Sequence, residues 1–304
     1  MTLIVGMAAF GAGLWLLVES VEGLITNLRA WAMAAGMSAI VVGALVLGFD
    51  VESTAAGVAA TLDDQPGTAL GASIGAAIFL VTCGLGIAAL IAPFAVRPPA
   101  AVLTAAGVAT ALCIALAADR RLSRIDGAVL LAAFVPLVAA IVVGRPKVAP
   151  GQDGRPERPR LLAVKVLGGL VGLVAGAQLL VFGTAHVVSE LGLSETVFGL
   201  LVVGAAISFE EVVLEALPAF RGFPELSVGN ALGTLVFLLT GSLGVIVLAR
   251  PISVPGAVIS YHLPALGLTV LLAGAMLARG RLRRIDGVTL VAAYAAYAVG
   301  ALVQ

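Results

Sequence analysis

Charge is what this sequence has least of. Of 304 residues only 11% are Asp, Glu, Lys or Arg, against 61% hydrophobic ones, and the mean hydropathy is +1.15. Soluble domains carry about a quarter charged residues, so a water-soluble globule is excluded. Cysteine and histidine are scarce too, two of each. Cys83 and Cys113 lie in separate apolar runs, without the spacing of a metal site, and read as small buried hydrophobes. Walker and Rossmann glycine patterns are missing, so nothing implies a nucleotide, a haem or another cofactor, or a nucleic-acid partner. Ten-residue stretches of alternating polarity are missing as well, which excludes an outer-membrane barrel. The first residues lack a charged-then-apolar leader with a cleavage site, and Met1 onward is expected to begin the first span.

What is present is a series of long runs of Ala, Leu, Val and Gly. A membrane span takes about 20 apolar residues, so the chain has room for roughly ten. The fold class is an all-α polytopic membrane protein, and the runs place spans near 3–25, 32–61, 67–93, 98–118, 126–144, 161–188, 194–219, 225–249, 254–278 and 285–303.

The chain is also written twice. RLSRIDGAVLLAAF (121–134) returns as RLRRIDGVTLVAAY (281–294), and ALGASIGAAIFLVTCGLG (69–86) returns as SVGNALGTLVFLLTGSLG (227–244). GMSAIVVG (36–43) returns as GLSETVFG (192–199), and GAGLWLLV as VAGAQLLV. The blocks are collinear, at offsets of 160, 158, 156 and 163 residues. Two five-helix repeats are therefore expected, 1–144 and 161–304, joined by a basic, proline-rich linker at 145–160. An odd number of spans per repeat inverts the second relative to the first. Thirteen of the 17 Lys and Arg residues fall in odd-numbered connections, which places those, and the linker, in the cytoplasm. Both termini would then face the outside of the cell membrane.

Within the second span of each repeat sit acids. The first reads VVGALVLGFDVESTAAG and the second VFGLLVVGAAISFEEVVLEAL. Counting back from Gly71 and Gly229, Glu52 falls on Glu210, Asp50 on Ser208 and Ser53 on Glu211. Inverted repeats with interrupted helices point to a secondary transporter whose site lies near the midplane, and helices 2 and 7 are the interrupted ones. A charge at the bilayer centre costs about 2.5–3.5 kcal/mol, and no Lys or Arg lies nearby to pair with Asp50, Glu52, Glu210 and Glu211. Protons or bound cations are what remain, and carboxylate and hydroxyl oxygens suit Ca²⁺ or Na⁺. The bland alternative makes these acids loop residues at a span boundary.

Long second spans with a central acid, followed by glycine-rich third spans, resemble the sodium/calcium exchanger (cation/Ca²⁺ antiporter) superfamily, as a divergent prokaryotic-type member. The resemblance covers nearly the whole chain. The family motif G-T-S-x-P-E, followed by G-N-x-x-G-S-N, has counterparts in the second repeat: Gly199 to Glu211 to Gly233 keeps its spacing, and GNALGT (229–234) opens its glycine motif. The resemblance implies Glu211 as a principal ion ligand, with Ser208 and Thr234 as hydroxyl ligands. The first repeat departs: it is two residues shorter between Gly43 and Gly75, so Ser53 takes the acid's place by counting, with Glu52 beside it as the expected partner of Glu211. Leu80 and Leu238 stand where the family has Asn or Asp, Ala76 where it has serine, and Glu210 where it has proline.

The function implied is secondary antiport of Ca²⁺, or a related cation, for Na⁺ or H⁺ by alternating access. The partners are inorganic cations and the lipid bilayer, and the chain is expected to act as a monomer. Clustering carboxylates out of water favours their neutral forms, which makes proton coupling the main variant. Two rivals are a homologue that no longer transports or has altered specificity, and an intramembrane enzyme using paired acids, which lacks Ser/His or paired catalytic Asp motifs. Elsewhere, Glu19 and Glu22 share a helix face and read as a snorkelling or gate-lining pair, and Glu215 as lining an approach to the site. His186 and His262 lie near span ends, Asp126 and Asp286 read as helix starts, and Asp63 and Asp64 as a solvated turn.

Overall fold

In lipid every backbone N–H and C=O must be satisfied within the protein, which leaves helices as the usual form for an apolar run. The computed structural model describes residues 2–34, 36–143, 159–190 and 204–302 and is helical almost throughout. The helices are α1 (Thr2–Ala34), α2 (Ala39–Val46), α3 (Val51–Leu62), α4 (Pro66–Ile91), α5 (Ala100–Ala117), α6 (Arg124–Val143), α7 (Pro159–Glu190), α8 (Gly204–Phe220), α9 (Pro224–Ala249), α10 (Val258–Ala278) and α11 (Arg284–Ala301). Among the described residues eight segments are long and apolar enough to cross a bilayer, with Ala39–Leu62 counted as one; α8 and α11 fall outside that set. Residues 145–158 of the expected linker and the start of the expected seventh span lie outside the described residues, and Pro159 and Arg160 already belong to α7.

One expected boundary needs correction. The first span, expected at 3–25, is longer: α1 continues to Ala34. No proline or glycine follows Gly23 within it, and Leu28 and Ala32 prolong the buried stripe of Leu17, Val21 and Leu24, at the spacing of one helix face. Arg29 therefore lies on the helix rather than in a connection, with its guanidinium 4.1 Å from the centre of the Phe223 ring.

Three of the long helices carry single π turns: Gly71–Gly75 and Leu80–Gly84 in α4, Phe237–Ser242 in α9, and Val258–His262 in α10. Such turns insert an extra residue into the hydrogen-bond ladder and are frequent at functional sites. Those at 80–84 and 237–242 occupy corresponding positions in the two copies of the repeated sequence.

Glycine faces set the packing, as small residues do between membrane helices. On α4, Gly86 rests on Gly287 of α11; on α9, Gly244 rests on Gly127 of α6. A β-carbon added to either partner of the second pair would lie 3.0 Å from the other's carbonyl oxygen. Gly86 corresponds to Gly244, and Gly127 to Gly287, so one contact is made twice. The connections behave likewise. A two-stranded ribbon pairs β1 (Arg121–Leu122) with β2 (Ile252–Ser253), with Leu122 opposite Ile252. A separate bridge pairs Phe94 with Leu282, the residues corresponding to Ile252 and Leu122. Most of the buried side chains of α4, α5, α9 and α10 form one core, while α1 and α7 form a second, packed along each other's length with Gly13, Gly176 and Gly183 at their contact.

Candidate functional site

The site begins at the gap between α2 and α3. Ser38 starts α2 by accepting from Val41 N–H at 3.4 Å. The helix stops after Val46, and Gly48 turns the chain hard against α9: a β-carbon there would lie 2.8 Å from the Gly233 carbonyl carbon and 2.9 Å from Thr234 N. Only glycine lets the backbones come this close. Phe49 packs on Phe134 and Phe237 at ring-centre distances of 5.8 and 5.0 Å. Asp50 then caps α3, its Oδ1 accepting from Ser53 N–H at 2.7 Å. Thr54 Oγ1 donates to the Asp50 carbonyl and lies 2.9 Å from Ser242 Oγ on α9. Helix 2 is thus interrupted at residues 47–50. The equivalent stretch of helix 7 lies at the edge of the described residues, and no break is described there.

A cavity of about 270 Å³ opens at this break. It brings together Asp50 from the break, Glu52 and Ser53 from α3, Glu210 and Glu211 from α8, and Thr234 from α9. Of the seven residues expected to hold the ion only Ser208 is missing from the described lining; it belongs to α8, but its side chain lies outside the described residues. The apolar wall includes Leu80 of α4 and Leu170, Leu173 and Val174 of α7. Leu80 stands where the resemblance called for a polar ligand, and Leu238 is buried in the core instead. The volume leaves room for an ion and several waters, at about 30 Å³ per water.

The four carboxylates lie within electrostatic reach of one another, Glu211 with Asp50, Glu210 and Glu52, and Glu210 with Glu52 and Asp50. No Lys or Arg is among the described residues that line the cavity. Among the described residues no three His, Cys, Asp or Glu side chains converge tightly enough to form a closed metal cage. One reason is visible: Glu52 is drawn toward α7, where Gln178 Nε2 donates to its Oε1 at 2.6 Å. Asp50 is likewise engaged in capping. The boundary role considered for Asp50 and its place in the cavity therefore coexist.

Two residues of this neighbourhood were missed. Gln178 is a lone amide in the apolar run VAGAQLLV, and that isolation was the available signal. Asn230 lines the cavity and accepts from Thr234 Oγ1 at 3.3 Å; it was legible as the amide of GNALGT. Other singled-out residues lie elsewhere. Glu22 pairs with Arg221 just past α8. Asp64 makes an exposed ion pair of 2.6 Å with Arg250 in the turn after α3. Asp126 and Asp286 sit in the first turns of α6 and α11, accepting from Ser123 N–H and Arg283 N–H. His262 Nδ1 meets Tyr297 Oη at 2.9 Å on the wall of a second cavity of about 200 Å³. The side chain of His186 lies outside the described residues.

Residues 5–143 and 161–303 match the family described as "Sodium/calcium exchanger protein". The chain belongs to that family. CaxA, a candidate antiporter of Alkalimonas amylolytica, is 28% identical over 308 residues, covering 94% of this chain and 95% of its own. The inner membrane protein YrbG of Escherichia coli is 33% identical over 132 residues, 43% of this chain and 41% of its own. In fold, the chain is similar to the sodium-calcium exchanger NCX_Mj solved in zero Na⁺ and Ca²⁺, with a TM-score of 0.85, 24% identity and 99% of each chain covered. The family is one of membrane antiporters, so this exchanger is a multi-pass membrane protein that moves cations and is not an enzyme.

Proposed function

We propose that this exchanger trades Ca²⁺, or a related cation, for Na⁺ or H⁺ by alternating access, with the ion held in the cavity at the helix break. The observation that carries this reading is the meeting of four carboxylates from two distant parts of the chain in one cavity, with no basic side chain among its described lining residues. Glu52 and Glu211 are the principal ligands, Asp50 and Glu210 supply further negative charge, and Ser53, Ser208 and Thr234 offer neutral oxygens. One divalent ion, or several monovalent ions or protons, neutralises the same cluster, which is how unlike ions come to compete. Occupancy permits α1 and α7 to slide past the core, while an empty, charged cavity holds them.

The reading includes ten spans in two inverted repeats, 1–144 and 161–304, with 145–160 as cytoplasmic linker and both termini outside. Supporting it, the Gly86–Gly287 and Gly244–Gly127 contacts exchange partners between the halves, as a two-fold axis in the membrane plane requires. Connections also meet others of their own parity: Phe94 with Leu282, Leu122 with Ile252, and Asp64 with Arg250. The test is labelled Ca²⁺ uptake into proteoliposomes with Na⁺, pH and Mn²⁺ gradients varied separately. Uptake driven by an opposing Na⁺ or H⁺ gradient, and lost in Glu52→Gln and in Glu211→Gln at unchanged expression, is the expected result. Normal flux in both variants refutes the site, and no flux under any gradient favours a homologue that has stopped transporting.

A further inference from the structure

One buried acid takes no part in the cavity. Glu215, one helical turn beyond Glu211 on α8, is fully buried, and among the described residues neither of its carboxylate oxygens has a hydrogen-bond partner. Its carboxylate is seated against Gly84 in the second π turn of α4, where any added side chain would collide with it. The repeated sequence does not require this seat. In the first copy Gly57 stands where Glu215 stands in the second, and Ser242 answers to Gly84; Gly57 packs on the side chain of Ile246. An acid placed here once, against a glycine, is therefore not a demand of the module's packing.

An ionised carboxylate left dry and unpaired is prohibitively unfavourable. A metal ion would need six or more oxygens around it, and the seat against Gly84 is too close for such a shell. A proton is the cation that fits. Glu211 faces the acid from its own helix and Cys83 faces it from α4. On other packed helices, Glu22 of α1 is held by Arg221, and Lys165 of α7 is itself engaged.

We propose that Glu215 is a proton-binding residue of the transport cycle, protonated while the cavity is empty and ionised while a cation occupies it. The inference rests on the cavity being the cation site. When the ion arrives beside Glu211, the O–H bond of the Glu215 carboxylic acid breaks, and its proton passes to cavity water and on to bulk. The carboxylate left behind is compensated by the cation one turn away. Departure of the ion reverses each step. A residue that never touches the ion then adds a proton to the exchange.

The test counts protons. Ca²⁺, Mn²⁺ and Na⁺ are titrated in turn into weakly buffered, detergent-purified full-length protein containing a pH indicator, with binding followed calorimetrically. Glu215→Gln should still bind Ca²⁺ while releasing about one proton fewer per ion, and Glu215→Asp should restore the release. Equal release by wild type and Glu215→Gln overturns the inference and leaves the cation site standing. If wild type binds none of the three ions, the proposed function fails instead. Glu215 is then judged by infrared spectroscopy of the cation-free protein: a protonated-carboxyl band lost in Glu215→Gln supports the assignment, and an unchanged spectrum overturns it. Should Glu215→Gln not fold, a shift of that band in Glu215→Asp decides the matter in the same way.

Discussion

Replacing Glu211 with glutamine should make the cation-free protein more stable, although it removes a residue assigned to the site. Glu211 interacts with Asp50, Glu210 and Glu52. At an effective dielectric of about 20, a like-charge pair several ångströms apart costs on the order of 2 kcal/mol. Protonation of some members and water in the open cavity remove most of that cost, so the net relief is about 1–2 kcal/mol. In melting temperature this is roughly 2–4 °C per kcal/mol. Wild type should instead be stabilised by Ca²⁺, by about 2.7 kcal/mol at a concentration one hundred times its dissociation constant. The assay is thermal unfolding of the purified protein in chelator and in Ca²⁺. In chelator the variant should melt above wild type; in Ca²⁺ the order should reverse, because the variant no longer responds. A variant that is no more stable in chelator, and that gains as much from Ca²⁺ as wild type does, would refute the idea that these acids repel one another in the empty cavity.

Three further outcomes follow from other parts of the molecule. Cation affinity should rise with pH, because protons and the ion compete for the same carboxylates and the ligands must be deprotonated to bind; isotherms between about pH 6 and pH 9 check this, and an affinity independent of pH contradicts it. Gly244→Val adds a side chain whose β-carbon would lie 3.0 Å from the Gly127 carbonyl oxygen and should lower stability by about 1–3 kcal/mol, whereas Gly107→Val, facing open space, should have little effect in the same melting assay. Arg221→Ala removes an ion pair whose side chains are 49% and 36% exposed, so it should cost less than about 1 kcal/mol; a larger loss would show that this contact between α1 and the end of α8 does more than bridge a surface.

The sequence carried the halves of the site further than their joining. Duplicated blocks such as RLSRIDG and RLRRIDG exposed the repeat because near-identical residues must make near-identical contacts, as Gly127 and Gly287 do. The acids stood out because a charge in apolar sequence demands a reason, and six of the seven chosen residues line one cavity. Gln178 was harder to see: an uncharged amide in a long span is cheap to bury when it has a partner, and that partner, Glu52, lies 126 residues away. Asp50 carries two roles because the same short side chain that lines the cavity also caps the helix after the break, and capping leaves no mark of its own in composition. The length of α1 was missed because a helix continues until something stops it, and the residues from Leu24 to Ala34 contain no such stop.

The most direct test of the account is X-ray diffraction from crystals of this exchanger soaked in Sr²⁺ or Mn²⁺, read by anomalous scattering. The account predicts a peak in the cavity within about 2.6 Å of carboxylate oxygens of Glu52 and Glu211, lost in Glu211→Gln crystals. A fully loaded crystal with no peak there, or with its only ordered ion elsewhere, would contradict it.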